Sequence, residues 1–240
     1  FFSTAAAFAA VGGGARAAAG AMESTDIRSL NGVWEFRLEG KAWRKVTVPH
    51  TWQVEAGEAK HLGRAEYRKR FEVPAEWQGG VVRVEFESVF HTARVVVNGH
   101  AAGEHLGKGY TAFTVDITNL ARYGETNELR VEVDNSFSGS MLPRANSYDW
   151  TPDGGIYRSV WLHATPPIFI ERVDVDSQPD LKASSAEAKV RVVVRNRTGR
   201  SRKILIESEV SEEASGLVAA RGTAGSRARG SRASTRHGCG

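Results

Sequence analysis

From Leu30 onward the hydrophobic positions recur at every second residue. Trp34, Phe36 and Leu38 alternate with Glu35 and Arg37; Tyr67, Phe71 and Val73 alternate with Arg68, Arg70 and Glu72. Val82, Val84 and Phe86 do the same with Arg83, Glu85 and Glu87, as do Leu129, Val131 and Val133 with Arg130, Glu132 and Asp134. Successive side chains of a strand point to opposite faces of its sheet, so each run predicts a half-buried strand. Val95-Val96-Val97 runs into Asn98-Gly99, two residues that tolerate positive φ, which predicts a strand closed by a tight hairpin. Ile156, Val160 and Leu162 share one face of a further strand that comes after the pair Gly154-Gly155. No run keeps the 3.6-residue period of an amphipathic helix. Short strands punctuated by Gly, Pro and Asn predict an all-β chain folded as a two-sheet antiparallel sandwich.

Pro166-Pro167 interrupts the pattern as a linker does. Beyond it IFIERVDVD, AKVRVVVRNRTG and RKILIESEV begin a second set of strands, with a turn at Asn196 to Gly199. Three or four strands fall short of the roughly seven that close an immunoglobulin-like sandwich, so residues 166–218 are expected to form only part of one. From residue 219 the chain is basic, low in complexity and without periodicity. That tail reads as a polyanion-binding segment, as disorder, or as a stretch in which the reading frame has shifted, the last being preferred. No internal repeat is visible.

The charge balance adds little to this picture. The 240 residues carry a formal charge of +4, but five of the 32 basic residues and none of the 28 acidic ones lie from Arg221 on. The rest of the chain is close to neutral, and no nucleic-acid partner is expected. Cys239 is the single cysteine, which excludes an internal disulfide and a cysteine-built zinc site. The seven histidines show no i, i+4 ligand pair on a helical pattern, so neither metal nor cofactor is expected. Residues 1–21 are apolar, Ala- and Gly-rich and too short to span a bilayer. They read as the remnant of an export signal, Phe1-Phe2-Ser3 resembling the residues just after the arginine pair of twin-arginine signals, with an Ala/Gly extension as the alternative. Export implies a periplasmic or secreted protein with no membrane partner.

Six phrases taken in order, SLNGVWEFRL, VTVPHTW, AEYRKRFEVP, VNGHAAGEHLGKGYTAFTVDIT, GETNELRVEVDN and DWTPDGGIYRSVWL, resemble the N-terminal domain of glycoside hydrolase family 2, the family of β-galactosidases, β-glucuronidases and β-mannosidases. The resemblance covers residues 27–165 and continues weakly into an immunoglobulin-like domain to about residue 218. It implies a jelly-roll β-sandwich over 27–165, a β-linked glycoside as the partner, and a homo-oligomer only in the full-length enzyme. One departure is Gly107-Lys108-Gly109-Tyr110-Thr111-Ala112-Phe113, where the family has Gly-Gly-Tyr-Thr-Pro-Phe. A larger one is that the family's TIM barrel, which carries both catalytic carboxylates, has no counterpart in this sequence. Retaining glycosidases need two carboxylates about 5 to 5.5 Å apart. No catalytic residue is therefore assigned, and the chain by itself is expected to be inactive. A stand-alone carbohydrate-binding module is the alternative.

The resemblance implies that Asp149 reaches into the barrel's mouth and hydrogen-bonds sugar hydroxyls, while Trp150 offers an apolar face to the sugar. An ionised carboxylate accepts from two neighbouring hydroxyls at once, and such charge-assisted bonds are strong. From the residues alone, Asp149 also reads as a loop carboxylate capping backbone N–H groups, and Trp150 as a packed anchor. Gly154-Gly155 lets the chain turn where Cβ atoms would clash. His50 and Trp52 are expected to pack at the entry to the sandwich, Tyr110 and Phe113 in the core, Asp153 in a turn, and Arg158 as a tie from loop to sheet. Asn127-Glu128 imitates the family's acid/base pair but sits in a turn that feeds an alternating strand, and reads as structural. The sequon Asn196-Arg197-Thr198 is expected to be unused.

Overall fold

The computed structural model of the chain describes residues 5–10, 22, 24–137, 139, 152–183, 185–211 and 215–230; Asp149 and Trp150 lie outside them. The described residues form strands β1 (Ala5–Ala10), β2 (Asp26–Ser29), β3 (Gly32–Leu38), β4 (Arg44–Val48), β5 (Arg64–Val73), β6 (Val81–Phe86), β7 (Thr92–Val97) and β8 (His100–His105). They continue with β9 (Phe113–Asp116), β10 (Glu125–Asp134), β11 (Val160–Thr165), β12 (Ile168–Asp180), β13 (Ser185–Asn196), β14 (Arg202–Ser211) and β15 (Val218–Ala228). Among the described residues the helical structure is limited to the single 3-10 turns Trp52–Val54 and Ala75–Trp77. The chain divides into two compact units, residues 20–166 and residues 1–19 with 167–240.

The 20–166 unit is an antiparallel sandwich, as the alternation predicts. One sheet runs β4-β3-β5-β10-β7-β8 and the other β2-β11-β6-β9. Trp34, Phe36, Tyr67, Leu129 and Val131 of the first sheet and Val84, Phe86 and Leu162 of the second are at most 1% exposed and belong to one core. Full burial of such a side chain contributes about 1.5–3 kcal/mol each, so the paired inner faces hold the layers together. The residues between them point outward and pair with one another: Arg68 with Glu35 at 2.7 Å, Arg37 with Glu66 at 2.9 Å. Lys69 breaks the alternation by standing between Tyr67 and Phe71. Its ammonium reaches the sheet's margin, donating to the Val33 carbonyl at 3.1 Å and the Asn31 carbonyl at 3.3 Å, with the nitrogen 5.7 Å from the Trp34 ring centroid. Asn98 (φ 52°) and Gly99 (φ 84°) make the expected tight turn between β7 and β8.

In the other unit β12 pairs with β13, and β14 lies between β1 and β15. Among the described residues this unit has five strands where the sequence predicts three or four, and two of them differ from expectation. β15 occupies Val218–Ala228, within the stretch read as a low-complexity tail, and β1 pairs along β14 from Ala5↔Val210 to Ala10↔Leu205. Backbone pairing asks nothing of side-chain periodicity, so a run of Ala, Gly and Arg joins a ladder that its own pattern does not announce. The apolar side chains buried here among the described residues are Phe169 (8%) and Ile204 (6%). Asn196 is buried as well, its amide donating to the carbonyls of Arg200 and Ala228 at 2.8 and 2.9 Å, which leaves the sequon nitrogen engaged and inaccessible to a glycan.

Candidate functional site

The loop singled out by the sequence leaves β10 after Asp134 and returns through Pro152 to β11. Its middle, with Asp149 and Trp150, is outside the described residues, but both of its roots are described. At the outgoing root Asn135 is fully buried. Its carboxamide oxygen accepts from Gly63 N–H at 2.9 Å, and its amide nitrogen donates across the loop to the Pro152 carbonyl at 2.8 Å and to the His61 carbonyl at 3.2 Å. One side chain therefore ties the two limbs together. Next along the chain, the Ser136 carbonyl lies 2.7 Å from Nε2 of His91, and Ser136 N–H donates to Asp134 at 2.8 Å. Burial works against the ionised Asp134, yet those Ser136 bonds and the nearby Arg64 hold its pKa below the usual carboxylate value.

The returning limb is fixed by glycine. A Cβ on Gly154 would lie 2.0 Å from Cζ2 of Trp52, and one on Gly155, at φ +142°, would lie 2.3 Å from the His50 carbonyl. Both approaches are below any real contact, so the pair is needed for closeness and, at Gly155, for backbone conformation. Gly154 N–H donates to Gln53 Oε1 at 2.7 Å, and the Gln53 amide donates to the His61 carbonyl at 2.8 Å. Gly155 exchanges backbone hydrogen bonds with Phe90 at 3.0 and 3.3 Å. Trp52 is fully buried, which is the packing expected of it at the sandwich entry.

Behind the glycines runs a chain of polar groups. Arg44 grips both carboxylate oxygens of Glu55, one at 2.8 Å; Glu55 Oε1 lies 2.9 Å from Nε2 of His50, and Nδ1 of His50 lies 2.7 Å from the Tyr67 hydroxyl. A carboxylate only accepts, so Nε2 carries the proton and Nδ1 accepts from Tyr67. The Tyr67 hydroxyl in turn receives a hydrogen bond from the Ile156 backbone, and His50 N–H donates to the Ile156 carbonyl at 2.7 Å. Burial drives the His50 pKa down despite the Glu55 bond, and drives that of Tyr67 far up. The Arg44 bond lowers Glu55. The inner end of this chain, Tyr67 and the His50 ring, is buried, while Arg44 at its outer end is exposed.

Several expectations change here. Tyr110 is not core: it is 53% exposed, because Gly109 packs its backbone on Phe90 and Phe90 fills the buried position instead. Phe113 is half-buried, its ring stacked between Phe86 and His105 at 4.9 and 4.3 Å. Arg158 is exposed and makes no hydrogen bond to the sheet among the described residues, so it is not the tie expected of it. Asp153 is an exposed carboxylate beside Gly154. Asn127 and Glu128 lie within β10 itself rather than in the turn that feeds it. Asn127 is 1% exposed, and its side chain accepts from Asn98 and Arg122 and donates to the Arg122 and Glu125 carbonyls. Asn135, Gln53, His91 and Glu55 escaped the sequence reading, since their partners lie up to 101 residues away along the chain. No group of three or more His, Cys, Asp or Glu side chains among the described residues is placed to hold a metal.

A two-sheet antiparallel sandwich with both roots of its β10–β11 loop tied down fixes the class of fold, and comparison with known proteins supplies the family. Residues 46–166 match the domain described as glycosyl hydrolases family 2, sugar binding domain, and the chain belongs to that family. It is 34% identical over 155 residues to a beta-glucuronidase of Bacteroides fragilis, an alignment that covers 62% of this chain and 22% of that protein. It is 33% identical over 188 residues to a beta-galactosidase of Thermoanaerobacter pseudethanolicus, covering 74% and 24%. The fold is similar to that of a beta-glucuronidase from Ruminococcus gnavus, with a TM-score of 0.72 and 23% identity over 88% of this chain and 40% of that one. The chain thus spans between a fifth and a quarter of the length of these curated relatives.

Proposed function

We propose that this sandwich is the substrate-positioning domain of a retaining exo-β-glycosidase of the β-galactosidase or β-glucuronidase type, acting on a β-linked glycoside. The observation that carries the reading is the clamp on the loop: Asn135 joins its two limbs from a fully buried position, and Gly154 is pinned by Gln53. Orienting a substrate requires its contacts to be held in place before it arrives. In this reading Asp149 accepts hydrogen bonds from sugar hydroxyls and Trp150 faces the sugar's C–H surface. Double displacement needs two opposed carboxylates. In this reading Glu128, a residue within strand β10, is not one of them, and the bond-breaking groups belong to the family's barrel. The opening residues 1–21 support export to the periplasm or medium.

In an enzyme that joins this domain to its barrel, Asp149→Asn is expected to lower kcat/KM about a hundredfold with the unfolding midpoint unchanged. An unaltered kcat/KM would sink the assignment. The 240-residue chain alone should not turn over chromogenic β-galactosides or β-glucuronides. Turnover that disappears in Glu128→Gln would contradict the structural role given to the Asn127-Glu128 pair.

A further inference from the structure

β14 owes one of its two neighbours to the opening residues of the chain. The sheet runs β1-β14-β15, so β1 covers one edge of β14 and β15 the other. The β1 ladder extends from Ala5↔Val210 to Ala10↔Leu205, and β1 is Ala throughout except for Phe8. That cover offers backbone groups and no charge. It sets Phe8 opposite Glu207 and ends at Leu205, short of Lys203. On the β15 side Lys203 is opposite Arg227 and Glu207 opposite Thr223. Lys203, Leu205 and Glu207 alternate along one face of β14 and are exposed, Leu205 by 39%. Neither Lys203 nor Glu207 has an ion-pair partner among the described residues.

An uncovered edge presents a row of backbone groups to any strand that arrives. The charge along β14 selects which. Arg202 and Lys203 open the strand and Glu207 and Glu209 close it, so an antiparallel copy of β14 meets opposite charge. Its companions lack this reversal: β12 has four acids against Arg172, β13 has Lys189, Arg191 and Arg195 against Glu187, and β15 has Arg221 and Arg227 with no acid. With Leu205 opposite Leu205 of a second copy, Ile204 meets Ile206 and Lys203 meets Glu207, each contact occurring twice by symmetry.

We propose that β1 is a removable cover on β14, and that the edge it leaves takes β14 of a second copy of this chain, antiparallel and centred on Leu205. The contact is isologous, so it closes at a dimer and does not grow into a fibre. It adds two cross-strand ion pairs and a leucine pair that β1 cannot supply. Removal of β1 in the cell rests on the export reading of residues 1–21; the complementarity of the β14 edge does not.

The test is sedimentation equilibrium on the 240-residue chain and on its Ala6→Pro/Ala7→Pro variant. One of two neighbouring N–H groups on a strand always faces its partner, so the double variant breaks the β1 ladder. The native chain is expected to stay monomeric to about 100 μM, and the variant to form a dimer with a Kd of about 1–50 μM. Adding Lys203→Glu sets two like-charge pairs across the contact and should weaken the dimer about tenfold; adding Glu207→Lys as well should restore it to within about threefold. A chain cut after folding, through a protease site introduced at residues 18–21, should match the proline variant. Amide exchange that stays slow at the β14–β15 pairs shows that the sheet is kept in each. The proposal is overturned if the proline variant and the cut chain both stay monomeric, if the charge swap does not rescue the dimer, or if the native chain dimerises as strongly with β1 in place. Both altered chains are made in vitro, so the result is distinct from that of the export reading, which sequencing the N-terminus of the exported protein tests.

Discussion

Residues 20–166 and residues 167–230 share one sequence grammar and reach different results. Both alternate apolar and polar positions, and both form antiparallel ladders of up to ten or more residue pairs. In the first, alternation ends in burial: on β10, Asn127, Leu129, Val131 and Val133 are all at most 1% exposed. In the second, Val173 and Val175 alternate with Arg172 and Asp174 in the same way, yet stand 36% and 50% exposed. Period-two patterning determines that a segment is a strand with an apolar face. Burial of that face requires a second layer, which the first region builds from its own two sheets. The difference also separates the regions experimentally, because all six tryptophans lie between residues 34 and 161, so indole emission reports on the sandwich alone.

The sharpest break should come from the loop's return, where sandwich packing is tightest. Trp52→Ala removes a fully buried indole and is expected to cost about 3–5 kcal/mol. Gly155→Ala forces a Cβ to within 2.3 Å of a backbone carbonyl at φ +142°, for which about 3 kcal/mol or more is expected. Both are read as a fall in the denaturant midpoint, monitored through the remaining tryptophans. A loss below about 1 kcal/mol in either would show that the loop root yields, and the clamp would no longer explain how the loop is held.

Ile204→Ala probes the other side of the comparison. At 6% exposure it is the most buried apolar side chain of β12 to β15, and its truncation should cost about 2 kcal/mol locally. Faster amide exchange along β14 and β15 is the expected readout, with the tryptophan-detected transition unmoved. A parallel fall in that transition would mean that the two regions unfold as one unit.

Legibility in the sequence divides along the same line. The strands of the sandwich are open to reading because each carries its own alternation, and Asn98-Gly99 announces its hairpin. Gly154-Gly155 is recognisable as a forced close approach. What approaches it, the Trp52 ring and the His50 carbonyl, is not, since those groups come from about a hundred residues earlier. The chain from Arg44 through Glu55 and His50 to Tyr67 is invisible for another reason: its links, 11, 5 and 17 residues apart, match no strand or helix period. Tyr110 misleads because an aromatic next to a strand start reads as core, and only the fit of Gly109 on Phe90 reveals which ring goes inside. β15 misleads because its ladder needs no apolar alternation: backbone pairs and the Arg221–Glu209 contact at 3.0 Å join it to β14. The sugar-contact role proposed for Asp149 rests on family resemblance, and composition could not have supplied it.

Acid sharpens the comparison further. Burial lowers the pKa of His50, His105 and His163, all in the sandwich, whereas no histidine occurs between residues 167 and 230. A histidine depressed in the folded state prefers to be neutral there. Its stabilisation is complete above its ordinary pKa of about 6.5 and is lost as pH falls through the lower folded value. The tryptophan-detected midpoint is therefore expected to fall as pH drops below about 6.5, and His50→Gln should reduce that slope. Glu55 and Asp134 are depressed carboxylates, so their contribution is present above about pH 4 and disappears as pH falls further. Exchange protection of β12 to β15 should stay flat from pH 7 to about 5 once intrinsic exchange rates are corrected for. A histidine-like step in those strands would show that the second region shares the sandwich's titration.

The smallest expected effect tests the comparison most closely. Val175 pairs with Val190, and Val173 with Val192, which lines four valines along one face of the β12–β13 ladder. If that face is a solvent-facing stripe, Val175→Thr keeps the β-branched shape, exchanges one methyl for a hydroxyl already in water, and changes the hairpin's stability by no more than about 0.5 kcal/mol. If instead the face packs against a layer, the same substitution buries an unpaired hydroxyl and should cost about 1–3 kcal/mol. Amide exchange along β12 and β13 measures the difference directly. The small value keeps the contrast between a strand that is merely apolar on one side and one that is packed; the large value would place residues 167–230 under the same rule as the sandwich.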